Sequence, residues 1–306
     1  MNPVDPPPSI FLLGASGYVG GALLRALGER GYRARPVRRA EADLHKTGPL
    51  RELLEREQPA FLINAAGYTG KPNVDACELH RADALAGNAV LPGRVREACE
   101  ATGTPWGHVS SGCIFSGRRP DGQPFTEEDE PNFSFRRGPC SFYSGTKALG
   151  EEVLAGADQC YVWRLRIPFD DEDSPRNYLV KLLSYPRLLE AENSISHLGE
   201  FARACLDLWE QQAPFGTYNL TQPGAITTHE VTEALLAEGQ RRESLGLPNP
   251  FPHSFSFFSS EEEFMRTAAR TPRSNTVLSP QKALEAGASL TPLPALLPKV
   301  LQSLRR

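Results

Sequence analysis

Three glycines spaced Gly14-Ala-Ser-Gly17-Tyr-Val-Gly20 stand between a short apolar run and a helix-forming segment. Ser9-Ile-Phe-Leu-Leu13 reads as a buried strand, and Tyr18 to Arg30 sets Val19, Leu23, Leu24 and Leu27 at helical spacing. A strand, a glycine turn and a helix in that order let backbone approach a pyrophosphate, with the anion resting at the helix N-terminus. The spacing is GxxGxxG rather than GxGxxG, and a tight turn without a ligand is the plainer alternative. On the binding reading, Gly14, Ser16, Gly17, Tyr18 and Val19 are candidate dinucleotide contacts.

Further strands are expected at Tyr32 to Val37, Phe61 to Asn64, Gly107 to Phe115 and Tyr161 to Ile167. Helices are expected at Leu50 to Glu57, at Cys77 to Thr102 with an interruption at Pro92, and at Ser141 to Leu154. This alternation implies βαβ crossovers and an α/β, doubly wound parallel (Rossmann) sheet. After Pro168 the rhythm breaks: Asn177 to Ser184 and Phe201 to Gln211 read as helices, and Gly216 to Leu220 as a strand. The expected organisation is a dinucleotide-binding domain at 1–168, rejoined by 195–222. A smaller C-terminal substrate-binding lobe, from 169–194 and 223–306, would close over the carboxyl ends of the strands.

Composition removes several classes. With 40% hydrophobic and 23% charged residues, the chain can build a core. A net charge of −4 with interspersed signs leaves no footprint for nucleic acid or a membrane surface. No apolar run approaches the roughly 20 residues a bilayer demands, and no secretory signal is visible, so a cytoplasmic, reduced protein is expected. Cys77, Cys99, Cys113, Cys140, Cys160 and Cys205 form no CxxC pair and read as free thiols. The six histidines show no ligand spacing, so no metal is expected.

At the end of the second strand the chain reads Val37-Arg38-Arg39. Two guanidiniums suit a 2′-phosphate, which favours NADP(H) over NAD(H). Solvated surface charges are the alternative, and Asp43 is a nearby candidate to face the adenine. Farther on, Tyr143-Ser-Gly-Thr-Lys147 puts a phenol and an ammonium on one helix face. A cation beside a phenol helps it pass a proton at neutral pH, and Ser111 at a strand end would hydrogen-bond the same substrate oxygen. This constellation resembles the extended short-chain dehydrogenase/reductase superfamily. The resemblance implies Tyr143 as general acid, Lys147 as its electrostatic partner and nicotinamide-ribose contact, and Ser111 as carbonyl polariser. It also places Asn64-Ala65-Ala66-Gly67 and Tyr68 beneath the cofactor and matches Asn88 to a structural asparagine; Thr69 and Asn88 are further expected to line the substrate.

Strand alternation sets Ser111 and Cys113 on one face, about 6.6 Å apart, so the Cys113 thiol is expected to face the substrate. A buried, inert cysteine is the alternative. Asn64 to Asp75, Ser111-Gly-Cys-Ile-Phe115, Phe125 to Phe133, Ser141 to Lys147, Ser174-Pro-Arg-Asn-Tyr-Leu-Val-Lys181 and Pro272-Arg-Ser-Asn275 are similar to blocks of the plant nucleotide-rhamnose synthase/epimerase-reductase family. That family inverts C3 and C5 of a nucleotide-linked 4-keto-6-deoxyglucose and reduces C4 with NADPH. The C4 ketone acidifies both hydrogens, Ser111 and Tyr143 can hold the enolate oxygen, and Cys113 and Lys181 match the proposed acid/base pair. Asn177 and Arg273 are the remaining substrate candidates, Arg273 for the pyrophosphate. The sequence leaves open which carbon each member of the pair serves and whether the nucleotide is UDP or dTDP.

Dedicated dTDP-4-dehydrorhamnose reductases carry Asp-Tyr where this chain has Gly112-Cys113, which argues against a pure reductase. A monofunctional reductase remains the alternative within enzymes. Outside them stands a non-catalytic dinucleotide-binding protein like the methionine adenosyltransferase regulatory subunit. Relatives often form homodimers through helices flanking the sheet. An extra Ser134-Phe-Arg-Arg-Gly-Pro-Cys140 segment is expected to alter access to the site.

Overall fold

The computed structural model describes residues 7–38, 40–43, 46–71 and 73–304. Its centre is a six-stranded parallel sheet, β1 (Ser9–Leu13), β2 (Arg33–Val37), β3 (Phe61–Asn64), β4 (Trp106–Ser111), β5 (Cys160–Leu165) and, later in the chain, β9 (Gly216–Asn219). The spatial order is β2-β1-β3-β4-β5-β9. Ile10 to Leu13 and Phe61 to Asn64 are fully buried, as strands covered on both faces must be. Leu13 pairs with Val37 on one side and Asn64 on the other. The chain therefore reverses its direction of travel at β1 and β3, the switch point where such sheets take ligands.

One face of the sheet packs on α1 (Tyr18–Glu29) and α7 (Leu198–Glu210) through Leu23, Leu27, Phe201 and Leu208. The other packs on α2 (Thr47–Glu57) and α4 (Leu91–Thr102) through Leu50, Leu54, Val95 and Cys99. Ahead of α4, the expected single helix breaks into a 3-10 turn (Val74–Glu78), α3 (Arg81–Leu85) and a π turn (Ala86–Val90). Pro92 explains the last of these. Lacking an N–H, it frees the carbonyl of Asn88 four residues back. A Cβ on Gly150 of α5 (Phe142–Val153) would lie 2.2 Å from that oxygen, so the freed carbonyl rests directly on the glycine.

Outside the sheet, β6 (Pro168–Phe169), α6 (Tyr178–Ser184), β7 (Glu192–Asn193), β8 (Ser196–His197), β10 (Ile226–Thr227), α8 (Thr228–Ser244), α9 (Glu261–Thr267), α10 (Gln281–Glu285) and α11 (Leu293–Ser303) complete the chain. Phe169, Leu179, Leu182, Val231, Leu235, Leu297 and Leu301 form a separate apolar cluster there, which gives this lobe its own core. Among the described residues no helix is long and apolar enough to cross a membrane.

Candidate active site

Gly14 adopts φ +76°, and a Cβ on it would come within 2.6 Å of the Ala66 backbone. A Cβ on Gly20 would lie 2.1 Å from Gly14 O. The β1 turn is therefore folded tightly against itself and against Ala65-Ala66 after β3. Ala65 N donates to Leu13 O and Ala66 N to Asn64 Oδ1. Gly17 stands at the N-terminus of α1 with no side-chain cap, so the first-turn N–H groups lack a side-chain acceptor there. Ser16 and Gly17 are exposed. A glycine cradle before an uncapped helix fits a dinucleotide pyrophosphate.

The Tyr18 side chain does something else. Its buried hydroxyl and Asp170 Oδ2 face each other without another partner, and burial first, then Asp170, pushes its pKa upward. Tyr18 can thus offer the cofactor its backbone, while its phenol reaches toward the loop after β6. The Val19 side chain packs against the core. At the end of β2, Arg38 is exposed and its N–H donates to Glu41 Oε2 at 3.0 Å; Arg39 lies outside the described residues.

Ser111 closes β4, and here the structure corrects the strand reading. Gly112–Ile114 is a 3-10 turn, with Ser111 Oγ accepting from Cys113 N at 3.3 Å. Alternation therefore does not place the thiol; the turn does. Cys113 is 5% exposed, and its thiol feels the hydroxyls of Ser111 and Ser144. Burial pushes the thiol up, while those hydroxyls and the cations of Arg166 and Lys147 pull it back. Ser141 caps α5, accepting from Ser144 N at 3.1 Å and donating to Ser144 Oγ at 2.8 Å. Sequence reasoning missed Ser144; its only signal was lying beside Tyr143 at a capped helix start.

Tyr143 on α5 lies in the same cluster. Burial and the neighbouring thiols of Cys113 and Cys77 hold its phenol protonated, against a hydrogen bond with Ser111 and the charge of Arg166. One turn on, Lys147 is 6% exposed and donates to Val109 O at 3.1 Å; burial lowers its pKa, opposed by Cys113 and Glu151. Ser111, Cys113, Tyr143 and Lys147 thus come together. The expected acid is a phenol kept protonated by its surroundings, suited to donating rather than abstracting a proton.

The other predicted residues divide. Lys181 lies on α6, partly buried, with its pKa lowered by burial and by Arg176. Thr69, in the loop after β3, accepts from Arg176 Nη1 at 3.2 Å, and the loop's Tyr68 lies beneath it in sequence, with its backbone held by Asn88. Asn88, expected to line the substrate, has its amide engaged within the protein. Buried in the π turn, it accepts from Tyr68 N at 2.9 Å and donates to Tyr68 O and Thr146 Oγ1 at 2.8 and 3.1 Å, tying that loop to α5. Asn177 is likewise engaged: fully buried, it caps α6 by accepting from Leu179 N and donates to Asp170 and Glu172. Both amides are consumed internally. The Arg273 fork grips both Asp75 oxygens at 2.5 and 2.9 Å, so in this structure its charge is paired with a carboxylate.

The Ser134 to Cys140 segment runs along α5 and brings Cys140 within the field of Cys113. A Cβ on Gly145 would meet the Phe135 ring at 2.3 Å, and Arg136 pairs with Glu152. A second omission is Arg166, just past β5. It is 8% exposed, bonded to Asn193 Oδ1 at 2.7 Å and to Ser274 O, and close enough to Cys113 and Tyr143 to share their fields. Its signal was available, since a buried parallel strand has no ordinary use for charge.

A switch-point glycine cradle with a Ser-Tyr-Lys cluster beyond the strand ends defines a short-chain reductase type of protein. Residues 8–305 match the RmlD substrate binding domain, and the chain belongs to that family. The bifunctional dTDP-4-dehydrorhamnose 3,5-epimerase/dTDP-4-dehydrorhamnose reductase of Arabidopsis thaliana is 33% identical over 187 residues, 59% of this chain and 60% of that protein. The chain spans between a third and three fifths of the length of its leading curated relatives. In fold it is similar to the UDP-rhamnose synthase of Acanthamoeba polyphaga mimivirus (TM-score 0.84, 20% identity, 97% of this chain and 99% of that one). It is also similar to dTDP-4-dehydrorhamnose reductase from Bacillus anthracis in complex with NADP (TM-score 0.77, 18% identity, 97% and 98%).

Proposed function

We propose that the chain is an NADPH-dependent 3,5-epimerase/4-reductase that converts a UDP- or dTDP-linked 4-keto-6-deoxyglucose to the corresponding nucleotide-L-rhamnose. The observation that carries this reading is the Cys113 thiol, buried in one cluster with Ser111, Tyr143 and Lys147. Reduction of C4 by itself asks for no thiol at that place, whereas inversion at carbon asks for a proton donor. The names of the Arabidopsis and mimivirus relatives support it, and the NADP-bound relative supports the cofactor, for which the exposed Arg38 at the end of β2 is our candidate 2′-phosphate contact.

The glycine cradle and the uncapped start of α1 would hold the pyrophosphate, with Lys147 beneath the nicotinamide ribose. When bound, NADPH supplies the hydride for C4. Everything else falls to side chains. Tyr143, held protonated, gives its proton to the C4 oxygen, and Ser111 hydrogen-bonds that oxygen both as ketone and as enolate. Inversion at C3 and C5 asks for a base on one face and an acid on the other. Burial lowers the Lys181 pKa and raises that of Cys113, so the amine fits proton removal and the thiol fits delivery. Lys181 sits one helical turn from Tyr178, whose field reaches Arg166, and positions three apart share a helix face. The lobe is the part we assign to the nucleotide sugar.

The test is conversion by purified protein with NADPH and the 4-keto substrate, with and without a separate 3,5-epimerase. Rhamnose product without the added epimerase supports the proposal; product only with it leaves a monofunctional reductase. Binding of NADPH with no turnover under either condition leaves a non-catalytic dinucleotide-binding protein.

A further inference from the structure

Two buried arginines stand two residues apart at the end of β5. Arg164 has a dedicated carboxylate, since Glu151 meets it through Nε and Nη2 at 2.7–3.1 Å. Arg166 makes no ion pair among the described residues. Its Nη2 donates to the neutral acceptors Asn193 Oδ1 and Ser274 O, while Nε is buried without a partner. An unpaired buried cation is costly, and three features hold this one in place regardless. Arg166 N donates to Ser196 Oγ and its carbonyl accepts from Ser196 N. The next residue, Ile167, takes φ +37°, strained for a β-branched residue and doubly so before a proline. A Cβ on Gly112 would lie 3.6 Å from Arg166 Cδ, so the side chain passes directly beneath the turn that carries Cys113. Strain kept beside an uncompensated charge points to function at that charge.

We propose that Arg166 is the positioning residue for Cys113, its guanidinium holding the thiolate that forms when the thiol delivers a proton. In that step the S–H bond breaks and its electron pair stays on sulfur. The enolate's C=C pair takes the proton to make the new C–H bond, and the C4 ketone re-forms. Nothing is oxidised or reduced, and solvent later returns the proton to sulfur. The use of the step rests on the epimerase reading above; the pairing of Arg166 with Cys113 does not.

The groups facing Cys113 are Ser111 from β4, Ser144, Tyr143 and Lys147 from α5, Cys77 from the 3-10 turn, Cys140 from the loop before α5, and Arg166. Tyr178 from α6 faces Arg166 in turn. Of the two cations, Lys147 is tied to Val109 O and lies near Glu151, which leaves Arg166 as the one without a carboxylate.

The experiment is a pH titration of thiolate ultraviolet absorbance, each protein read against its own Cys113→Ala counterpart so that only the Cys113 step remains. Arg166→Gln is expected to raise the midpoint by about one pH unit or more, the size of a nearby opposite charge. Arg166→Lys recovers most of that shift, and Arg164→Lys leaves the midpoint at its wild-type value. An Arg166→Gln protein that binds NADPH and titrates at the wild-type midpoint overturns the proposal. Should that variant fail to bind NADPH, Asn193→Ala is read instead, which removes one of the two acceptors on Nη2 together with the side-chain bonds to Thr276 N and Asn275 Oδ1: a raised midpoint supports the proposal and an unmoved one overturns it. Solvent-deuterium entry at C3 and C5 is scored separately. A shifted thiol midpoint in a protein whose wild type exchanges neither hydrogen sinks the epimerase reading while the Arg166 assignment stands.

Discussion

The two walls facing the crevice hold their reactive groups by different means. On the sheet wall, Ser111 ends β4, Cys113 rides the turn that Ser111 caps, and Tyr143 and Lys147 start a helix capped by Ser141. Each is buried or tied to backbone, with Lys147 on Val109 O. The lobe carries Lys181, proposed above as the base, on a seven-residue helix. Its links to the opposite loop are side-chain pairs, Arg176 with Thr69 and Arg273 with Asp75. Buried element ends fix geometry to fractions of an ångström, whereas partly exposed polar pairs contribute little each. On the proposed reading, the sheet wall serves hydride and proton delivery at one place and the lobe wall admits the substrate.

Removing the acid from the sheet wall is the harshest way to probe this contrast. Tyr143→Phe is expected to slow C4 reduction on the order of 10²- to 10⁴-fold, read by NADPH oxidation, while NADPH fluorescence still reports binding. A mild loss would mean that the proton comes from elsewhere, and the sheet wall would lose its special standing. On the lobe wall, Lys181→Gln is expected to cut hydrogen exchange at one of C3 or C5 on the order of 10²-fold and to spare reduction of an already epimerised substrate. The pH behaviour has a definite sign. A base works in its neutral form, so exchange climbs with pH and levels off below the ordinary lysine value because the Lys181 pKa is depressed. Arg176→Gln removes one cause of that depression, so the climb should move to higher pH.

The same division decides what could be read from sequence. Ile10 to Leu13 and Phe61 to Asn64 are continuous buried runs, so the parallel sheet showed in the chain, and so did the four-residue spacing from Tyr143 to Lys147. These features are local. What local pattern missed depends on partners far away or on a bond that is absent. Arg273 meets Asp75 across 198 positions, and no spacing rule connects them. The π turn holding Asn88 follows from the missing N–H of Pro92, which sequence marked only as an interruption. Cys113 was placed near the right neighbours on the wrong ground, because a strand was extended through what is a capped turn. Arg166 was overlooked although a charge at the end of an apolar strand was in plain view.

Asn177 sharpens the contrast from the stability side. It caps α6 and satisfies a buried acceptor on Asp170 and a partly buried one on Glu172. Asn177→Ala should destabilise the protein by about 3 kcal/mol, roughly 1 for the cap and the rest for acceptors left unsatisfied. The shift is read from the urea midpoint at constant slope. A raised KM with no loss of stability would return Asn177 to the substrate and make the lobe wall a binding surface down to its cap.

The smallest expected effect separates a strut from a ligand. The Arg273–Asp75 pair is partly exposed, 23% and 14% at its two side chains, so Asp75→Asn and Arg273→Met should each cost only about 1 kcal/mol. If the pair is a strut between the loop after β3 and the lobe, the double variant should be scarcely less stable than either single one, since the same interaction is lost once. KM for the nucleotide sugar should then rise alike in all three. A pyrophosphate ligand gives a different pattern, because Asp75 competes with the substrate for one guanidinium. Arg273→Met would then raise KM, while Asp75→Asn would lower it by releasing the fork. Opposite signs for the two single variants would restore Arg273 as a substrate contact and give the lobe wall a charge of its own to offer.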